Sequence, residues 1–139
     1  MKQPIVVLSL VPPKMPEEQW HFAALRVEKG HTPRYLIFSL DEDWIDVEQY
    51  NSRIEDMFKD SVVYVFDQGT VSLFTKLFGV KFRSKRFIDV RELLILFYPS
   101  LSQYGLQELS TKIKIRKRLS YRSPAHQEVR LIWAVLNNC

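Results

Sequence analysis

PIVVLSLV, residues 4–11, decides how the chain folds. The run is apolar, β-branched and stopped by Pro12 and Pro13, too short for a buried helix. It reads as a strand covered on both faces. Such a strand belongs at the centre of an α/β sheet, and open sheets of that type place their chemistry at the carboxyl ends of the central strands. Here that end offers Ser9, Val11 and two prolines, almost without charge.

Outward from this strand, residues 19–29 alternate loosely, with Trp20, Phe22, Ala24 and Val27 set against polar neighbours, and Gly30 turns the chain into Tyr35-Leu36-Ile37-Phe38. Three strands joined by short connections predict an antiparallel meander. Asp43 is placed to cap a helix carrying Val47, Tyr50, Ile54 and Phe58 at spacings of three and four. Residues 62–66, VVYVF, predict a fourth strand. A short helix follows, with Val71, Phe74 and Phe78 on one face and Gly79 as its stop. Phe87-Ile88-Asp89-Val90 predicts a fifth strand, with Asp89 capping what comes next. Three helices close the chain. Leu93, Leu94 and Phe97 line the first, up to Pro99; Leu106, Leu109 and Ile113 line the second. The third starts at Ser123-Pro124 and turns Ala125, Val129, Trp133 and Leu136 inward.

This order predicts an α/β domain over residues 1–139. Its sheet is mixed and five-stranded, a three-strand antiparallel meander plus two parallel strands, with helices on both faces. The layout is similar to the ribonuclease H-like fold, in which the last helix closes over the first strand.

Composition narrows the function classes. The chain has 139 residues, enough for one core without staples. No apolar run approaches the roughly 20 residues that cross a bilayer, so no membrane partner is expected. The one cysteine, Cys139, excludes an internal disulfide and a cysteine-built metal site. No secretory signal is recognisable at the start, and a cytoplasmic location is the default expectation. With four glycines there is no phosphate-cradling loop, and no nucleophile elbow or Cys/His cluster is present. The net charge of +4 is uneven. Lys76, Lys81, Arg83, Lys85 and Arg86 form one basic cluster; Lys112, Lys114, Arg116, Lys117, Arg118 and Arg122 form another. Such clusters meet phosphate in nucleic-acid-binding proteins, although a merely solvated face is the commoner use of a charge run.

Beyond layout, the residues resemble the DEDDh 3′–5′ exonucleases, the family of the bacterial polymerase proofreading subunit. Ile5 to Val11 looks like the first motif strand, and Trp20 to Gly30 (WHFAALRVEKG) like the second strand and its turn. Ser61 to Phe74 (SVVYVFDQGTVSLF) is similar to the second motif, and Phe87 to Leu94 (FIDVRELL) to the strand and helix after it. Tyr104 to Leu109 resembles a following short helix, and His126 to Leu136 the third-motif helix.

The resemblance implies four carboxylates holding two divalent cations roughly 4 Å apart, with a histidine as general base. Position by position, the first-motif aspartate falls on Ser9 and its glutamate on Val11. The second-motif aspartate falls on Val71 or Ser72, and the last on Arg130 or Leu131. Only the histidine matches, as His126. A hard cation wants anionic oxygen, which serine, valine and leucine do not supply and an arginine opposes. The expectation is therefore a degenerate member with no catalytic residues, no metal site and no cofactor. Without metals, His126 is expected to pack or hydrogen-bond at its helix start.

Three functions follow as alternatives. The first is an inactive exonuclease-like module that binds a protein partner within a nucleic-acid-processing assembly, touching DNA or RNA through Lys81, Arg83, Lys85, Arg86, Lys114, Arg116, Lys117, Arg118 and Arg122. The second is an active metal-dependent exonuclease with ligands rebuilt from Asp67, Asp89, Glu128 and His126. Glu128 and His126 are about 200° apart around a helix, which disfavours it. The third is a purely structural docking subunit. His21 is expected to face solvent or cap an edge, Asp41, Asp43 and Asp46 to offset a helix dipole. Trp20, Trp44 and Trp133 are expected in the core or at its rim.

Overall fold

A computed structural model describes residues 3–15, 18–40, 48–66, 68–78, 86–97 and 123–137. Its sheet has five strands in the order β3-β2-β1-β4-β5. These are β1 (Ile5–Val11), β2 (Trp20–Val27), β3 (Arg34–Leu40), β4 (Val62–Val65) and β5 (Phe87–Asp89). β1 pairs antiparallel with β2 and β2 antiparallel with β3, which is the expected meander. β4 lies parallel to β1, and β5 parallel to β4. The mixed α/β sheet is therefore as the sequence predicts, with β1 in the middle.

β1 is central because nothing about it tolerates water: Val6 through Leu10 are all buried. Alternation sends Val6, Leu8 and Leu10 to one side and Ile5, Val7, Ser9 and Val11 to the other. The first side packs under α1 (Glu48–Phe58) and α2 (Gln68–Phe78), where Phe22, Ile54, Phe58, Val63, Val65, Phe74 and Phe78 complete the core. The second side lies under α4 (Pro124–Asn137), whose Ala125, Val129, Ile132 and Val135 meet Val7, Ala23 and Leu25. Val90, which opens α3 (Val90–Phe97), joins that second cluster.

Local signals account for the joints. Gly30 takes a φ of +81° in the β2–β3 turn, a conformation that costs a side chain more than it costs glycine. Asp60 has a φ of +55° just past α1, and the Ser61 hydroxyl donates to the Phe58 carbonyl at 2.7 Å. Asp89 caps α3 through Oδ1, which accepts from the Glu92 N–H at 3.1 Å, and Ser123 caps α4 by accepting from the His126 N–H at 3.2 Å. Both caps are those the sequence predicts.

Three details differ from expectation. The fifth strand stops at Asp89, and Val90 is already helical, because the Asp89 carboxylate starts the turn there. β2 is buried on both faces from Phe22 to Arg26, so its loose alternation hides two inward faces. The fully buried stripe of α4 runs through Ile132 and Val135, while Trp133 and Leu136 flank it half-exposed. The expected cap at Asp43, the helix stops at Gly79 and Pro99, and the helix bearing Leu106, Leu109 and Ile113 lie outside the described residues.

Candidate functional site

The side of the sheet beneath α4 carries the positions of interest, and strand register fixes their order. Ser9 lies level with Ala23 on β2 and Ile37 on β3. Two residues on, Val11 lies level with His21 and Ser39. By the two-residue period all of these face α4's side. Ser9 is fully buried, and among the described residues its hydroxyl has no hydrogen-bond partner. Val11 is half-buried and packs against the α4-side cluster. His21 is half-buried rather than turned to solvent, and its Nδ1 lies 2.9 Å from the Ser39 hydroxyl. Nothing in the sequence marks Ser39 as a partner of His21; only the cross-strand register reveals it.

His126 sits at the start of α4, 9% exposed, with its ring edge-on to Tyr35 at 5.0 Å between centroids. Its backbone N–H is held by the Ser123 cap. Packing at a helix start is the role expected of it without metals. Tyr35 is level with Val7 and two strand spacings from β1, roughly 10 Å. The ring that His126 meets therefore belongs to the outer strand. Since the Ser9 hydroxyl has no partner, His126 does not bond it. Farther along α4, Arg130 is half-buried and Leu131 is buried.

The second-motif positions fall elsewhere. Val71 packs into the cluster under α1 and α2, on the opposite side of the sheet from Ser9, and Ser72 is exposed. The structure thus groups Ser9 and Val11 with α4 and leaves Val71 and Ser72 on α2. Among the described residues, no three His, Cys, Asp or Glu side chains come together as a metal site requires. Asp89 is engaged as the α3 cap. Arg86 is exposed just before β5 and Lys76 is exposed in the last turn of α2. Lys81, Arg83, Lys85, Lys114, Arg116, Lys117, Arg118 and Arg122 lie outside the described residues, as do Asp67 and Trp44.

Arg26 is a further residue that no sequence motif singles out. It lies in phase with Phe22 and Ala24 on β2, on the side covered by α1, and it is 7% exposed. Its Nη1 donates to the carbonyls of Met57 (2.7 Å) and Lys59 (2.8 Å), and its Nε to Glu28 at 3.1 Å. An arginine at a core-facing strand position has to find acceptors, and this was the available signal.

The orphaned hydroxyl of Ser9 gives a direct test of its worth. An unpaired buried hydroxyl carries its desolvation cost with nothing to offset it. Ser9→Ala is expected to raise folding stability by about 1 kcal/mol, read as a higher urea midpoint at unchanged slope. A fall in the midpoint would mean that the hydroxyl holds something in place.

No family model, no characterised protein and no solved structure matches this chain.

Proposed function

We propose that the chain is a catalytically inactive exonuclease-like module of the ribonuclease H-like class, which acts by binding within a nucleic-acid-processing assembly. One observation carries the reading. In a sheet ordered β3-β2-β1-β4-β5, the central strand presents a buried Ser9, without a hydrogen-bond partner among the described residues, and an apolar Val11 beneath the last helix. In the resembling family, those positions hold carboxylates and cations. A serine and a valine supply no anionic oxygen for a hard cation. What remains to such a scaffold is contact, through protein surface and through the basic clusters at 76–86 and 112–122.

A labelled single strand incubated with the protein and Mn²⁺ is expected to stay intact. Degradation that disappears in Asp67→Ala would instead support rebuilt ligands. The same strand is expected to bind at low ionic strength. Its log affinity should fall linearly with log salt, by about 0.7 for each phosphate neutralised. Reversing charge together at Arg116→Glu, Lys117→Glu and Arg118→Glu should weaken binding and flatten that slope. If no strand binds even at low ionic strength, the nucleic-acid half of the proposal fails and a protein-only role is left.

A further inference from the structure

His21 and Ser39 stand directly opposite each other on β2 and β3, on the side of the sheet that α4 covers. His21 Nδ1 lies 2.9 Å from the Ser39 hydroxyl. With the ring proton on Nε2, Nδ1 accepts from that hydroxyl and is placed to take its proton. A serine within hydrogen-bond reach of a base is the pairing that activates a hydroxyl as a nucleophile. Both side chains are half-buried, fixed by paired strands yet open to a small reagent. β3 is the last strand of its side of the sheet, and among the described residues nothing pairs with its outer edge.

We propose that Ser39 and His21 form a nucleophile–base pair that takes acyl groups from small, uncharged esters. The surroundings select that class. Val11 lies level with the pair on β1, and Ala23 and Ile37 lie two residues along on the same side. The residues of β1, β2 and β3 on that side include no Lys, Arg, Asp or Glu. A charged substrate would lose water there and gain no countercharge from the strands. The reaction needs only water. The Ser39 oxygen adds to the acyl carbon as Nδ1 takes the hydroxyl proton. The adduct then expels the alcohol, which leaves with that proton, and the acyl group stays on Ser39. Water attacks this ester while giving a proton to Nδ1, and Ser39 departs with that proton as the free hydroxyl. Ester and water become acid and alcohol. None of this draws on nuclease chemistry, so it stands or falls separately from the binding role proposed above.

The test treats the full chain with an alkyl fluorophosphonate, which loses fluoride to an activated serine. Intact-mass measurement is expected to show one phosphonyl group per chain, and peptide mapping should place it on Ser39. Ser39→Ala should stay unlabelled, whereas Ser72→Ala, which removes an exposed serine on α2, should label like the wild type. His21→Ala should slow labelling at least tenfold, and added imidazole should recover part of the rate. A histidine that only supports the fold would not be replaced by free imidazole. Release of p-nitrophenol from p-nitrophenyl acetate should fall at least tenfold in Ser39→Ala. A wild-type chain that takes no label overturns the proposal, whatever the variants do. So does a label found on another residue, or one that His21→Ala acquires at the wild-type rate.

Discussion

Phe22→Ala is expected to lower folding stability by about 4 kcal/mol, the largest loss any single truncation here should produce. Phe22 is 1% exposed and its ring lies where β2, β3 and α2 meet. Its ring stacks on Phe38 of β3 at 4.5 Å and 17°, and Phe38 in turn stacks on Tyr50 of α1 at 3.9 Å and 6°. On its other sides it meets Phe74 at 6.3 Å and Phe78 edge-on at 5.7 Å, both from α2. Truncation removes the transfer free energy of the ring and leaves a hole that these neighbours, each engaged with another ring, cannot collapse to fill. The loss compares with a total of about 5–15 kcal/mol for a domain of this kind. Chemical denaturation should show a lower midpoint with unchanged slope. A cycle pairing Phe22→Ala with Phe78→Ala should reveal a coupling of about 1 kcal/mol, since the two rings touch directly. A loss below 1 kcal/mol in the single variant would mean that the cluster is not the core the structure makes it.

Most of the sheet was legible because its signals are local. β1 and β4 are short, β-branched runs bounded by turn residues, and the caps at Asp89 and Ser123 announce their helices one residue ahead. What the pattern could not choose was which of two adjacent stripes α4 buries. Leu131, Ile132 and Trp133 are consecutive apolar residues, as are Val135 and Leu136, so the apolar arc is too wide to name its own centre. Packing decides it. Ala125 and the β-branched Val129, Ile132 and Val135 pack onto β1 and β2, and Trp133 and Leu136 are left at the flank.

The site was legible in a different sense. The absence of carboxylates at Ser9, Val11, Val71, Ser72, Arg130 and Leu131 is a property of the sequence, but their separation is not. That Ser9 and Val71 end on opposite sides of the sheet depends on strand alternation and on which helix covers which face. The pairing of His21 with Ser39 joins residues eighteen apart, and follows from the register of β2 and β3 alone.

Arg26→Met should cost about 3 kcal/mol, although it keeps most of the aliphatic stem and removes only the guanidinium. That group closes the end of α1. A helix leaves its last carbonyls without partners, and here those of Met57 and Lys59 both accept from Arg26 Nη1 across the sheet–helix boundary. A cation at a helix C-terminus also faces the negative end of its dipole. Methionine leaves the Met57 carbonyl buried without that donor, and Arg26→Lys recovers only part of the loss because an ammonium lacks the fork. Glu28 adds a pH signature. The hydrogen bond from Arg26 holds its carboxyl below the ordinary glutamate value, helped by the nearby charges of Arg26, His31 and Arg34. A depressed carboxyl contributes stability that is fully present above its unfolded pKa and is lost as pH falls through the lowered folded value. The wild type should therefore lose this increment on acidification while Arg26→Met, lacking its main cause, should lose less. The gap between their urea midpoints should narrow in acid yet stay open, because the two carbonyl bonds do not titrate. Equal midpoints at neutral pH would show that α1 needs no such clasp.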